Sequence, residues 1–134
     1  MVLRFFQRRQ KYRRVAIRIN GARIRAMLAD TPLKRTIGLM YRKGISRSSS
    51  MLFVFANEGK HGIWMRNMNF PIDVIWLDVR KKVVHLEENL QPCTVLLGCK
   101  TYHPNKAAKY VMEAPPGFIE KSRIRKNQAA SFKL

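Results

Sequence analysis

At 134 residues the chain is long enough for one domain with a modest core and too short for two. An apolar content of 46% excludes wholesale disorder and a collagen-like chain. Against 27 Lys and Arg stand 8 Asp and Glu, a net charge of +19, so complete ion pairing would still leave 19 cations without an acid, and a surface network of ion pairs cannot account for the basic excess.

Cys93 and Cys99 are too few for a disulfide-stapled secreted scaffold. No apolar run reaches the roughly 18 residues of a membrane-spanning helix. The longest clearly apolar stretch, Met51 to Ala56, is strand-sized. A secretory signal needs an apolar centre, and Arg4, Arg8, Arg9, Lys11, Arg13 and Arg14 interrupt the first twenty residues. The expectation is a soluble protein of a reducing cytoplasm.

Residues 1–13 read as a basic arm in which Val2, Leu3, Phe5 and Phe6 precede the cations. Such an arm could lie on an anionic membrane, by apolar insertion and charge attraction. The structural alternative is an edge strand or ordered arm whose phenylalanines cover the domain. Then Val15, Ile17 and Ile19 alternate with Arg14, Ala16 and Arg18, and Ala22, Ile24, Ala26 and Leu28 with Arg23, Arg25 and Met27. Asn20-Gly21 between them favours a type I′ turn, which predicts a two-residue hairpin with Ile19 opposite Ala22, Arg18 opposite Arg23, Ala16 opposite Arg25 and Arg14 opposite Met27. One face is aliphatic; the other carries four arginines with no acid before Asp30. Like charges directly opposite destabilise a ladder, a cost that solvent tolerates and that an anionic ligand would offset.

Asp30-Thr31-Pro32 predicts a helix start, with Leu33, Ile37 and Met40 on one stripe, over about 31–42. Ser46 to Ser50 reads as loop. Strand-sized runs follow at 51–56, 63–65, 72–79, 82–86 and 110–114. Pro115-Pro116-Gly117 ends the last of these, and residues 116–122 suit one helical turn. Short strands without long helical periods between them predict a mainly β fold: a single jelly-roll-like β sandwich or a partly closed barrel with one or two short helices. The domain is placed at 14–126, followed by a basic tail at 127–134.

Four stretches, ADTPLKRTIGLMYRKGI, MLFVFANEGKHGIWMRNMNFPIDVIWLD, LQPCTVLLGCKTYHP and KYVMEAPPGFI, carry a resemblance to the family catalogued as domain of unknown function 192. With the hairpin they cover most of residues 15–120. The resemblance implies a compact, mainly β domain of jelly-roll type with small helices, and no established activity. Relatives open a last strand on a Gly-Asp pair, where this chain has Lys126-Asn127.

Asp73 stands out, because the strand Ile72-Asp-Val-Ile-Trp-Leu77 is apolar on both faces. A carboxylate there must be paired, hydrogen-bonded or protonated. Arg66 and Arg42 are candidate partners. The functional reading is a pocket formed by Asp73, Arg66, Asn67, Trp64, Glu113 and Arg42; the structural one is a buried Asp tying the Asn67–Pro71 loop to its strand. Glu113 could complete a carboxylate pair suited to acid/base work or a cation, or sit in a salt bridge. Cys93, Cys99 and His103 are spaced C-x5-C-x3-H, wider than the usual zinc pair. A disulfide and a Cys–His nucleophile are further readings, with ordinary loop cysteines as the default. The methionines sit in apolar segments as gap-filling core. Trp64, Trp76 and Phe70 either wall a pocket or pack in the core. No Gly-rich phosphate loop, G-x-S-x-G or H-E-x-x-H occurs.

The preferred functional expectation is a non-enzymatic module without cofactor or metal. It would bind RNA or DNA through Arg14, Arg18, Arg23 and Arg25 on the hairpin and Arg8, Arg9 and Lys11 on the arm. The alternatives are a small-ligand enzyme or binding protein at the Asp73 pocket, and attachment of the arm to an anionic membrane.

Overall fold

The N-terminal arm is a helix, α1 (Val2–Arg9), and not an edge strand. The computed structural model describes residues 2–95 and 97–134, and the side chains of Val2 and Leu3, part of the expected apolar nose, lie outside the described residues. Gln7 explains why the arm is ordered. Its buried side-chain amide donates to the carbonyls of Gly38 at 2.9 Å and Met40 at 2.8 Å. These carbonyls follow a helix end, where backbone acceptors need outside donors. Phe6 is half-buried, whereas Phe5 stays 55% exposed.

The hairpin forms as expected. Asn20 and Gly21 take φ of 47° and 78°, and β1 (Arg14–Ile19) pairs with β2 (Ala22–Ala29) in the expected register. Thr31 caps α2 (Pro32–Ile37) by accepting from the Lys34 N–H at 3.2 Å. This helix is shorter than the predicted 31–42. It stops at Gly38, whose φ is 50° and where a Cβ would come within 3.0 Å of the Phe53 ring. Of its expected stripe, Ile37 and Met40 are buried, but Leu33 is 37% exposed.

From α2 the chain enters β3 (Ser49–Gly59), parallel to β2, so that α2 lies in a β-α-β crossover. Then come β4 (Ile63–Trp64), β5 (Ile72–Leu77), β6 (Val83–Leu90), β7 (Thr101–Tyr102), β8 (Ala108–Ala114), α3 (Phe118–Ser122) and β9 (Ala130–Ser131). Seven strands form one sheet in the order β6-β5-β8-β3-β2-β1-β9, while β4 and β7 make a small ribbon. All six residues of β5 are buried, as its two apolar faces require.

The sheet curls into a partly closed barrel, one of the two expected architectures. Residues 127–131, read from sequence as tail, join its two edges. On one side β9 pairs with β1. On the other, Val83 N–H donates to the Gln128 carbonyl at 2.9 Å, Asn127 N–H to that of Val83 at 2.8 Å, and Ala130 N–H to that of Lys81 at 2.8 Å. Phe132 is buried edge-on to Tyr110, with ring centroids 5.1 Å apart. Residues 127–132, read from sequence as the start of a basic tail, thus help to seal a core. Asn127, at φ 72°, adopts the left-handed conformation that Gly would take most easily.

Each face of the sheet buries its own cluster. The inner one gathers Ile17, Ile24, Leu52, Ile75 and Met112 with Ile119, Ile124 and Phe132. The outer one gathers Met27, Met51, Phe53, Val74 and Trp76 beneath Leu39, Met65 and Met68. Cys93 and Cys99 form a disulfide, with Cα atoms 5.9 Å apart, which corrects the expectation of ordinary loop thiols. Closing so short a loop stabilises by about 2 kcal/mol. With both sulfurs bonded to each other, neither is a zinc ligand or a nucleophile. Among the described residues, no helix is long and apolar enough to cross a membrane.

Candidate functional site

Strand alternation divides the two carboxylates of interest. Met112 and Ala114 belong to the inner cluster, so Glu113 between them faces outward, beside Met51 on β3 and Val74 on β5. Asp73 faces inward with Ile75 and Leu77, opposite Ala114. The expected Asp73–Glu113 pair therefore does not form, because the sheet stands between them. Asp73 is fully buried, and its carboxylate accepts from Asn89 N–H at 2.8 Å and Ile119 N–H at 2.9 Å. It ties β6 and the start of α3 to β5. Its partners are backbone amides, not Arg66 or Arg42.

Glu113 sits where the sheet meets α2. It lines a cleft of about 570 Å³ together with Arg35, Leu39, Met40, Phe53, Phe55, Ile63, Trp64 and Met68. The residue is 5% exposed, and among the described residues its carboxyl has no hydrogen bond or ion pair. Burial pushes its pKa up from 4.5 to about 8, so near neutrality it holds its proton. The salt bridge expected for it is absent among the described residues. Arg35, the other charged group lining the cleft, donates to the Val54 carbonyl at 2.9 Å and lies 5.4 Å from the Phe55 ring centre.

Of the pocket residues expected from sequence, Trp64 and Glu113 share this cleft. Arg66 and Asn67 are not among its lining residues. Arg66 is exposed, 5.5 Å from the Trp64 ring. Asn67 is in the left-handed region at φ 59°, and its carbonyl accepts from Tyr41 N–H at 2.9 Å. Trp76 is core, with its indole N–H donating to the His61 carbonyl at 2.8 Å. Sequence reasoning missed Arg35, Phe53 and Phe55 as wall residues.

A second feature continues the same sheet face towards the hairpin turn. Arg14, Arg18, Arg23 and Arg25 are all exposed. The sole ion pair among the described residues is His85–Glu87 at 2.8 Å, so none of these arginines is neutralised. Arg14 and Arg25 line one groove with Arg42, Ser46, Ser48 and Ser49. Arg14 and Arg42 also line a neighbouring groove with Arg8, Lys11 and Tyr12. The two share a wall and run together from α1 onto the hairpin, without a carboxylate among their lining residues. Arg42 lies 5.5 Å from the Tyr12 ring, and burial pushes the Tyr12 hydroxyl pKa up while Arg42 opposes that shift. Arg9 is exposed on α1, 5.0 Å from the Phe5 ring.

The model of the family DUF192, described as "Uncharacterized ACR", matches residues 15–132. The chain belongs to DUF192. Among curated relatives, UPF0127 protein PF1050 of Pyrococcus furiosus is 39% identical over 103 residues, covering 73% of this chain and 78% of its own. UPF0127 protein TK1120 of Thermococcus kodakarensis is 32% identical over 78% of this chain, and that match spans 62% of the relative's length. Two crystal structures share the fold. One, from Sinorhizobium meliloti and provisionally named a transcription regulator, superposes with a TM-score of 0.84 at 22% identity, over 92% of this chain and 96% of that one. The other, a protein of unknown function from Novosphingobium aromaticivorans, gives 0.77 at 20% identity over 90% and 84%. The matched region includes β9 and the inner-core Phe132, so barrel closure belongs to the DUF192 domain. The arm with Arg8, Arg9 and Lys11 lies before it.

Proposed function

We propose that this DUF192 chain binds the phosphate backbone of RNA or DNA, largely without sequence preference, along the basic grooves and the hairpin face. The observation that carries the reading is the set Arg14, Arg18, Arg23 and Arg25, exposed on one face and unpaired among the described residues. Strand pairing sets Arg18 directly against Arg23, a repulsion that an anion between them relieves. Ser46, Ser48 and Ser49 add hydroxyl donors on the groove wall. Phosphate contacts use such donors beside arginine. The name of the Sinorhizobium neighbour points the same way, but a likeness at 22% identity carries the fold alone.

The enzyme alternative has less support, since its two carboxylates face opposite sides of the sheet. Membrane attachment through the arm has less support too, since Gln7 anchors α1 to the domain. The proposal keeps the chain in the cytoplasm. A disulfide fits that location where intracellular disulfides are common, as in hyperthermophilic archaea, the group that supplies the Pyrococcus and Thermococcus relatives.

Salt titration tests the reading. If each of the four arginines displaces one condensed counterion from duplex DNA, log K falls against log salt with a slope of about −3.6, roughly a hundredfold loss between ~50 and ~200 mM. Fluorescence anisotropy of a labelled duplex measures it. Absence of binding at low salt, or affinity indifferent to salt, overturns the proposal.

A further inference from the structure

We propose that the cleft over Glu113 is a binding site for an uncharged, largely apolar organic molecule that presents a carbonyl oxygen to the Glu113 carboxyl. The site is separate from the basic grooves, and the inference does not depend on the nucleic-acid reading.

Three observations converge. The first is size: about 570 Å³ falls within the range of small-molecule sites. The second is the wall, built from Leu39, Met40, Phe53, Phe55, Ile63 and Trp64, with Trp64 still 42% exposed. The third is Glu113 itself. Glu113 is 5% exposed as a residue and lines the cleft, and its carboxyl has no protein partner among the described residues. Its oxygens are not sealed off from the cleft, so the carboxyl is the polar group there that is free to meet a ligand.

The charges around the carboxyl select the ligand's polarity. Arg35 is the other charged residue lining the cleft; one of its guanidinium N–H groups donates to the Val54 carbonyl, and its remaining donors can meet a carbonyl oxygen as well. His61 stacks on Phe55 with ring centroids 3.8 Å apart. Neither β3 nor β5 places an acid or base beside Glu113, which meets Met51 and Val74 there. With its pKa raised to about 8, the carboxyl is a neutral acid at pH 7, and a neutral acid donates a hydrogen bond. An ammonium ligand would have to strip that proton inside a molecule of net charge +19. A carbonyl needs no change of ionisation.

The neutral naphthyl ketone Prodan is the probe, with phenyltrimethylammonium as the cationic comparison. Saturable Prodan binding is expected at pH 6, about tenfold weaker at pH 9 as Glu113 ionises. Glu113→Gln keeps a neutral donor in the cleft, so it is expected to retain binding within a few-fold while losing the pH dependence. Glu113→Leu is expected to abolish binding; should that variant misfold, the flat profile of the Gln variant against the falling one of wild type decides. No saturable binding at pH 6, a wild-type affinity that does not fall with pH, a falling profile in Glu113→Gln, or preference for the ammonium that strengthens towards pH 9 overturns the proposal.

Discussion

Between about pH 5 and pH 8 the unfolding free energy of the wild-type chain is expected to fall by up to ~1.4 kcal/mol per pH unit through Glu113 alone, and Glu113→Gln is expected to lack that component. Below the ordinary carboxyl pKa both states hold the proton, and the group costs nothing. As pH rises, the unfolded chain releases it near 4.5 while the folded chain keeps it until about 8. The folded state then binds more protons, so stability falls with pH. Above about 8 both forms are ionised and the slope vanishes. Over the whole window the loss is about 5 kcal/mol, a large share of a small domain's stability. Urea unfolding at pH 5, 7 and 9 on wild type and Glu113→Gln gives the difference directly. Parallel profiles would show that Glu113 is not a buried neutral acid.

Asp73→Ala is expected to destabilise the fold by about 3–5 kcal/mol at neutral pH, because it leaves two N–H groups without their acceptor. One belongs to Asn89 on β6 and the other to buried Ile119 in α3. Gly117 precedes α3 without any side chain to cap it, so the Asp73 carboxylate supplies that cap from β5. Asp73→Asn keeps one acceptor oxygen and sets an amide NH2 towards the other N–H, so a smaller loss is expected. Denaturant midpoints measure both. A loss below about 1 kcal/mol for the Ala variant would show that these hydrogen bonds are not what Asp73 is for.

The parts of the fold readable in sequence are those fixed by neighbours in the chain. Period-two alternation around Asn20-Gly21 gave the hairpin pair by pair, and Thr31-Pro32 marked the start of α2. Barrel closure was not readable, because residues 127–131 have no marked period and their partners, β1 and residues 81–83, are far away in sequence. The site divided in the same way. Alternation placed Asp73 with Ile75, and Glu113 with Val111, on their own strands. Which of these faces coincide depends on the pairing of Val74 with Glu113, a long-range register. The cleft wall combines Arg35 from α2, Phe53 and Phe55 from β3 and Trp64 from β4, so no local motif announces it. Gly62 gives a faint signal at most, since a Cβ there would meet the Thr101 and His103 side chains at 2.6 and 2.7 Å.

The salt dependence of duplex-DNA binding in two variants of equal charge tests the functional account most directly. Arg18→Gln/Arg23→Gln removes two cations from the hairpin face. Lys60→Gln/Lys106→Gln removes two exposed ones near the Gly59–Ala108 end of the β3–β8 pair, whereas the start of β3 adjoins Arg25. The account predicts that the hairpin variant lowers the magnitude of the log–log slope by about 1.8 while the lysine variant leaves it at the wild-type value. Equal slopes in the two variants would mean that net charge, and not the arginine face, governs binding, and would contradict the account.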